Sequence, residues 1–362
     1  MIRYAEAVFN GHPDRFCDLI ADRIIEEAYA YDPEAYGQVE VGVWSDVIWL
    51  SGAVVTRNPF QTDLMDLIVE VGDFVGYSPD NHIDVRKYRL NDHVCRIQKD
   101  PLEWTRNVND QDIVIGWAGY DEKTRFLSPE QFLVHLLREG FVDSMKSGIL
   151  LGEGPDGKML VRIREEGTDW IIENILITVQ QRESTPLLEI CSKVVELLQE
   201  LYANLQMHDS RWVRDWNEIG VLINPNGPLV NGGSDGDNGQ TGRKLVVDYY
   251  GPRVPIGGGA LSGKDLTHID RASAYAARRE AIRLVKGGAE ECRITLVYAP
   301  NHSEPLDVRF DLVRNPGIKP DTRVFAHREL IKKTRSFKKV SRLGQGTHFY
   351  DDSLPWNDWS EI

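Results

Sequence analysis

The stretch MLVRIREEGTDWIIENILITVQ, residues 159–180, and the segment PLLEICSKVVELLQELYANL that follows at 186–205 decide the fold class. Residues 159–164 and 170–180 are short runs rich in β-branched and other apolar side chains and read as two strands. Residues 186–205 are long and periodic enough to read as a helix. The same order of strand, strand and helix occurs upstream. Strands at 39–43 and 47–55, joined near Ser45 and Asp46, precede an amphipathic helix at 64–74. A strand at 113–120 leads to a helix at 128–138. Downstream come a strand at 219–223, a helix at 271–285 with Ala274, Ala277, Ala281 and Leu284 on one face, and strands at 292–298 and 306–312. The unit recurs about three times without sequence identity between copies. Because strand pairs precede helices, the expectation is an α+β protein of three similar units, not a Rossmann sheet.

Two other segments carry expectations. Residues 15–31 read as a helix, with Phe16, Leu19, Ile20, Ile24 and Ala28 at helical spacing after a Gly11-His12-Pro13-Asp14 turn. Asp14 is the predicted N-cap, placed where helix amides point outward. Residues 81–109 lose periodicity and hold His82, Arg86, Lys87, Gln98 and Lys99. They read as a long loop, which is more often functional or mobile than decorative.

Composition narrows the function. The chain has 362 residues, 41% hydrophobic and 27% charged, which is globular and long enough for two or three subdomains. A formal net charge of -14 argues against a general nucleic-acid or anionic-membrane binder. No apolar run approaches the roughly 18 residues that cross a bilayer. Residues 1–10 lack the basic start and apolar core of a signal peptide. Cys17, Cys95, Cys191 and Cys292 are scattered without zinc-like spacing, so they read as packing residues in a reduced, cytoplasmic compartment.

The chemistry concentrates in residues 231–265. Glycines at 232, 233, 236, 239 and 242, and again at 257–259 and 263, let the backbone approach a ligand and turn amides toward anions. Arg243, Lys244 and Lys264 add positive charge, and Asp235, Asp237, Asp265 and Asp270 are interleaved with them. Cations alternating with carboxylates suit an oligophosphate chelated by a hard metal such as Mg2+. A solvated loop is the plainer reading, but the combination of GGG, GRK and SGKD argues against it. The segment is neither a Walker loop nor a GxGxxG turn, so it implies an ATP user of another kind. His12 and Asp14 at a helix start form a natural anion and metal address. Asp110, in an acidic pair before a strand, reads more readily as a turn residue.

These pieces together resemble the S-adenosylmethionine synthetase (methionine adenosyltransferase) family. The likeness runs through GHPDR at 11–15, DQDIVIGWA at 110–118, PDGK at 155–158, INPNG at 223–227, GDNGQTGRKLVVDYYG at 236–251 and GGGALSGKDLTHIDRASAYAAR at 257–278, with a fainter echo at Leu354-Pro355-Trp356. The resemblance implies an α+β fold of three pseudo-symmetric subdomains of mixed sheet, with helices on one face and interleaved connections. Their bounds fall at 1–104, 105–217 and 218–362. It implies a homodimer or homotetramer paired through broad sheet faces, with active sites between protomers. Apolar strands near Trp44, Trp49 and Trp117 would then serve an interface as well as a core.

The implied reaction is attack of the methionine sulfur on the ribose 5′-carbon of ATP, followed by hydrolysis of the triphosphate to phosphate and pyrophosphate. By this resemblance His12 contacts the phosphate chain and the breaking bond. Asp14 and Asp270 hold Mg2+, for which manganese substitutes, and Glu40 holds K+. Lys158, Arg243, Lys244 and Lys264 bind phosphate oxygens, and Asp156 lies near the nucleoside. Asp110 and Asp237 lie near the methionine and the sulfonium, and Gln98 matches the glutamine of the methionine gate. ATP, methionine, Mg2+ and K+ are thus the expected small-molecule partners.

The likeness has departures. Ala53 stands where the family has a glutamate for the methionine amino group. Leu229 replaces an aromatic ring against adenine, which loses roughly 1 to 3 kcal/mol of stacking, and Pro228 replaces a basic residue. His268 replaces a phosphate-binding lysine, which weakens that grip and makes it pH-sensitive. Arg15 keeps the charge of a lysine, and Gly154 loses an arginine. The phosphate end is thus better kept than the amino-acid and base end. The expectation is an active, divergent synthetase, with acceptance of a methionine analogue as one form of that divergence. The alternatives are a triphosphatase or nucleotide-binding relative, and a non-catalytic partner subunit.

Overall fold

The computed structural model describes residues 1–360. In chain order its main elements are β1 (Ile2–Val8), α1 (Pro13–Tyr31), β2 (Tyr36–Trp44), β3 (Val47–Thr56), α2 (Leu64–Val75), β4 (Arg89–Gln98), α3 (Leu102–Thr105), β5 (Asp112–Gly119) and α4 (Pro129–Ser147). There follow β6 (Gly157–Glu166), β7 (Asp169–Val179), α5 (Leu187–His208), β8 (Gly220–Ile223), β9 (Gly239–Gln240), α6 (Leu245–Asp248), α7 (Ile269–Lys286), β10 (Glu291–Tyr298), β11 (Asp307–Val313) and α8 (His327–Thr334).

The strands form three sheets, ordered β1-β6-β7-β8, β4-β3-β2-β9 and β11-β10-β5. Each sheet is backed by one long helix: α4 on β1 and β6, α1 on β2 and β3, and α7 on β5 and β10. The α+β expectation of three sheet-and-helix units therefore holds. Period-2 burial shows how each sheet faces its helix. In β2, Val39, Val41 and Val43 are buried while Gln38, Glu40 and Gly42 are only partly covered. The sheets draw on distant segments, since β1 pairs with β6 from Val8↔Lys158 to Ile2↔Arg164, and β5 pairs with β10.

Three local expectations need correction. The helix expected at 15–31 starts at Pro13, and its cap is His12, not Asp14. Proline suits the first helical turn, where its missing N–H would have no partner, and so moves the cap back two residues. The expected loop at 81–109 contains β4, which runs parallel to β3 at the sheet edge. Most of β4 is exposed, so it carries Arg89, Asp92, His93 and Arg96 and shows no apolar alternation. The strand β1 also went unread. Among the cysteines, Cys17 and Cys292 are buried as expected, but Cys95 is exposed on β4. No helix of the described residues is long and apolar enough to cross a membrane.

Candidate active site

The helix α1 carries aspartates at 14, 18 and 22, spaced four apart and therefore on one face. All three are fully buried. Each accepts a backbone amide from the Gly-rich chain: Asp14 from Gln240 at 2.9 Å, Asp18 from Gly242 at 2.8 Å and Asp22 from Gly263 at 2.8 Å. Both Gly-rich pieces are thus pinned along α1. Burial pushes Asp18 and Asp22 above the usual carboxylate range, against the pull of Arg15 and Arg271. Arg15 bonds Asp18 at 3.1 Å and Asp248 at 3.0 Å, and Arg271 bonds Asp22 at 2.8 and 2.9 Å. Arg15 is therefore a buried strut and not an open phosphate contact. The i, i+4 aspartate spacing was the signal in the sequence that could have revealed this ladder.

The first cluster surrounds the start of α1. Gly11 lies so close to Pro155 that a Cβ on it would come within 2.6 Å of the Pro155 carbonyl carbon, and its amide donates to Pro155 O at 3.2 Å. That close approach brings the turn before α1 against the 155–158 segment. His12 Nδ1 accepts from Asp14 N at 3.2 Å, which leaves the ring proton of the neutral imidazole on Nε2. Burial, reinforced by Lys244, lowers the His12 pKa to about 4. Lys244 holds Asp14 Oδ2, and Arg243 Nε stands 3.4 Å from Oδ1. Arg243 also donates to Asn238. Asp237 is exposed and close enough to His12 to raise its pKa. Asp156 is buried and accepts from Gly233 N at 2.7 Å, and burial raises its pKa to about 6. Lys158 is exposed on β6, beside Asp156.

The second cluster surrounds the start of α7. Lys264 holds Asp270 Oδ2, and His268 caps the helix through Nδ1 to Asp270 N at 3.4 Å. His268 is buried, and that burial lowers its pKa. Glu40 stands near Lys264, and partial burial raises its pKa. Asp110 is exposed, and an open cleft of about 670 Å³ lies among Asp110, Asp112, Gly258, Gly259, Lys264, Asp270 and Tyr298. Burial, then Asp270, pushes Asp112 up to about 7.

The two clusters sit at different points along β2. Gln38 bridges to Lys264, whereas Gly42 pairs with Gln240 beside Asp14. Four residues of strand separate these points, about 13 Å. The sequence reading assigned all the predicted residues to one site, whereas within the chain the structure gathers His12, Asp14, Asp237, Arg243 and Lys244 at α1 and so parts Asp14 from Asp270, Asp237 from Asp110, and Arg243 and Lys244 from Lys264. The structure also gathers Lys264, His268, Asp270 and Asp110. Gln98 belongs to neither cluster: it ends β4 and donates to Arg57 O at 3.2 Å. Ala53 lies in register with Gln38 and with Cys95. Leu229 is half-buried, and its carbonyl accepts from Gln181 N at 2.9 Å. Trp44 and Trp49 are exposed, while Trp117 is buried in the core.

As to cations, the donor chemistry of the second cluster fits one, because Asp270 Oδ1 is buried with no hydrogen-bond partner. Asp14 has both oxygens engaged, so a cation there displaces Lys244. Glu40 has no ion pair among the described residues.

The solved structure of an unusual S-adenosylmethionine synthetase from Campylobacter jejuni superposes with a TM-score of 0.84, at 24% identity, covering 99% of this chain and 97% of that one. That likeness shows a common fold. The model of the S-adenosylmethionine synthetase N-terminal domain matches residues 1–98, and that of the C-terminal domain matches 231–352. The S-adenosylmethionine synthase of Pelagibacter ubique is 32% identical over 320 residues, 86% of this chain and 80% of that protein. The synthase of Methylobacterium nodulans is 35% identical over 324 residues, covering 85% and 79%. These relatives make the protein an enzyme of the transferase class. More particularly, the chain belongs to the S-adenosylmethionine synthetase (methionine adenosyltransferase) family.

Proposed function

We propose that the chain makes S-adenosylmethionine from ATP and L-methionine. The methionine sulfur attacks the ribose 5′-carbon, the bond from that carbon to the triphosphate oxygen breaks, and the triphosphate is then hydrolysed to phosphate and pyrophosphate. A thioether is neutral and nucleophilic, so no general base is needed. The task is electrostatic: to stabilise a departing polyanion and a new sulfonium. The observation that carries the reading is the set His12, Asp14, Arg243 and Lys244 gathered at one helix start.

His12, kept neutral by burial, offers its Nε2 proton to the leaving oxygen. Arg243, Lys244, Lys158 and Lys264 supply positive charge to the phosphates, with His268 beside them. Asp237 and Asp110 face the methionine and its sulfonium, Gln98 the methionine entrance, and Asp156 the nucleoside. Asp14 and Asp270 would hold Mg2+, and Glu40 would hold K+. Mg2+ held there would neutralise charge on the triphosphate. The separation of the two clusters along β2 supports a site completed by a second protomer, and Trp44 and Trp49 exposed on β2 and β3 support pairing through that sheet face. Four free cysteines support a reducing, cytoplasmic setting.

Ala53 favours a second reading, a triphosphatase that has lost transfer. Phosphorus NMR during turnover separates the two. From ATP, the synthetase releases phosphate and pyrophosphate in equal amounts only when methionine is present. The triphosphatase releases phosphate from ATP without it.

A further inference from the structure

The cluster at the start of α7 differs from the one at α1 in a way that points to a ligand. Asp110, His268 and Asp270 each present a ligand atom, and these atoms all lie within 4.8 Å of one another. Lys264 holds one oxygen of Asp270, but Oδ1 is buried without a partner. A buried oxygen left so is destabilising, and an ion is a natural occupant for it. At α1 the equivalent Asp14 has both oxygens engaged, by Gln240 N and Arg243 on one side and Lys244 on the other. No comparable trio gathers there among the described residues.

The spacing suits coordination. His268 Nδ1 stands 3.5 Å from Asp270 Oδ1. Two donors each about 2.1 Å from one ion lie about 3.0 Å apart at a right angle and about 3.4 Å apart at the tetrahedral angle. What Nδ1 now accepts is a 3.4 Å bond from Asp270 N, longer than the 3.2 Å bond that His12 accepts, and an ion on Nδ1 would replace it. Asp110 is tethered to this place because Asn109 Oδ1 accepts from Ile269 N at 3.2 Å. Its exposed carboxylate opens on the cleft, where water or phosphate oxygens fill further positions. Lys264 neutralises one of the two carboxylate charges, so the trio keeps a net negative charge toward a cation.

An imidazole among carboxylates suits borderline metals, whereas Mg2+ takes oxygen ligands. We propose that Asp110, His268 and Asp270 form a divalent-cation site with an imidazole ligand, which prefers Mn2+, Co2+ or Zn2+ to Mg2+. This deepens the metal role given to Asp270 above and rests on it; the nitrogen ligand is the new element.

The test uses the full chain, stripped with a chelator and given Mn2+ alone, without nucleotide. Pulsed EPR should show nitrogen modulation from a bound imidazole. His268→Asn, which keeps a capping acceptor, should abolish it, and His12→Asn should not. Competition should show Mn2+ bound at least tenfold more tightly than Mg2+, and Asp270→Asn should weaken Mn2+ at least tenfold. Bound Mn2+ without nitrogen modulation, modulation that survives His268→Asn, or Mg2+ bound as tightly as Mn2+ overturns the imidazole site and leaves Asp270 as a cation ligand. Mn2+ binding unchanged by Asp270→Asn, or no binding at all, overturns the cation site together with that earlier role.

Discussion

His12 and His268 hold the same place in two copies of one local arrangement. Each caps a helix in extended backbone, at φ -65°, ψ 135° and φ -62°, ψ 134°. Each ring Nδ1 accepts from the amide of an aspartate two residues on, at 3.2 and 3.4 Å. A lysine holds each aspartate, Lys244 for Asp14 and Lys264 for Asp270. An arginine one residue further on is buried in each, Arg15 and Arg271. The sequence writes the pair as HPDR at 12–15 and HIDR at 268–271.

The capping bond predicts a stability effect. His12→Ala and His268→Ala should each lower unfolding free energy in urea by about 1 kcal/mol, and the asparagine replacements by clearly less. Equal losses for alanine and asparagine at either position would mean that the ring packs there without capping.

The arginine struts predict a larger one. Arg271 carries a charge that Asp22 answers in a fully buried pair. Arg271→Leu leaves Asp22 without its counter-charge and should cost about 3–5 kcal/mol in chemical denaturation. Asp22→Leu with Arg271→Leu should recover part of that loss. A cost under about 1 kcal/mol for the single change would show that the pair is not a strut.

Lys264→Ala and Arg243→Ala should each lower kcat by about 10²–10³-fold, the range for removing one fixed electrostatic donor in an enclosed site. Steady-state kinetics with both substrates saturating provide the check. Turnover unchanged in Lys264→Ala would remove the phosphate role from the second cluster.

Ala53 lies one strand from Gln38, which itself bridges to Lys264. Ala53→Glu puts a carboxylate in that row and should lower the methionine KM severalfold while kcat stays within about twofold. A KM that does not fall would mean that the register sends the side chain elsewhere.

Asp156 predicts a pH dependence. Burial raises its pKa from 3.8 to about 6. Between pH 4 and 6 the folded chain therefore holds more protons here than the unfolded one, and stability falls as pH rises through that window. Asp156→Asn cannot ionise and keeps an acceptor for Gly233 N. It should match the wild type near pH 4 and exceed it by roughly 2–3 kcal/mol at pH 7.5, while losing activity. Parallel stability curves across that range would contradict the buried, ionising carboxylate.

Much of this was legible beforehand because function and fold left signals of different kinds. The helices α1, α5 and α7 announced themselves through apolar spacing, although only α5 buries a single face, while α1 and α7 are covered on nearly every side. Glycines next to Arg243, Lys244 and Lys264 announced an anion site, since few other contexts need both. The edge strand β4 was hidden because an exposed edge has no apolar face to write into the sequence. The cap moved from Asp14 to His12 because proline's fit to the first turn outweighed the usual preference for aspartate. The meeting of Asp110 with His268 and Asp270 depends on Asn109 reaching Ile269 N, a tertiary contact that no local pattern records.

The most direct test of the whole account is mass spectrometry of a reaction holding the purified chain, ATP, methionine, Mg2+ and K+. The account predicts S-adenosylmethionine in stoichiometric yield with phosphate and pyrophosphate, formed about 10²–10³-fold more slowly in Lys264→Ala. Phosphate released without any sulfonium product would contradict it and leave a triphosphatase in its place.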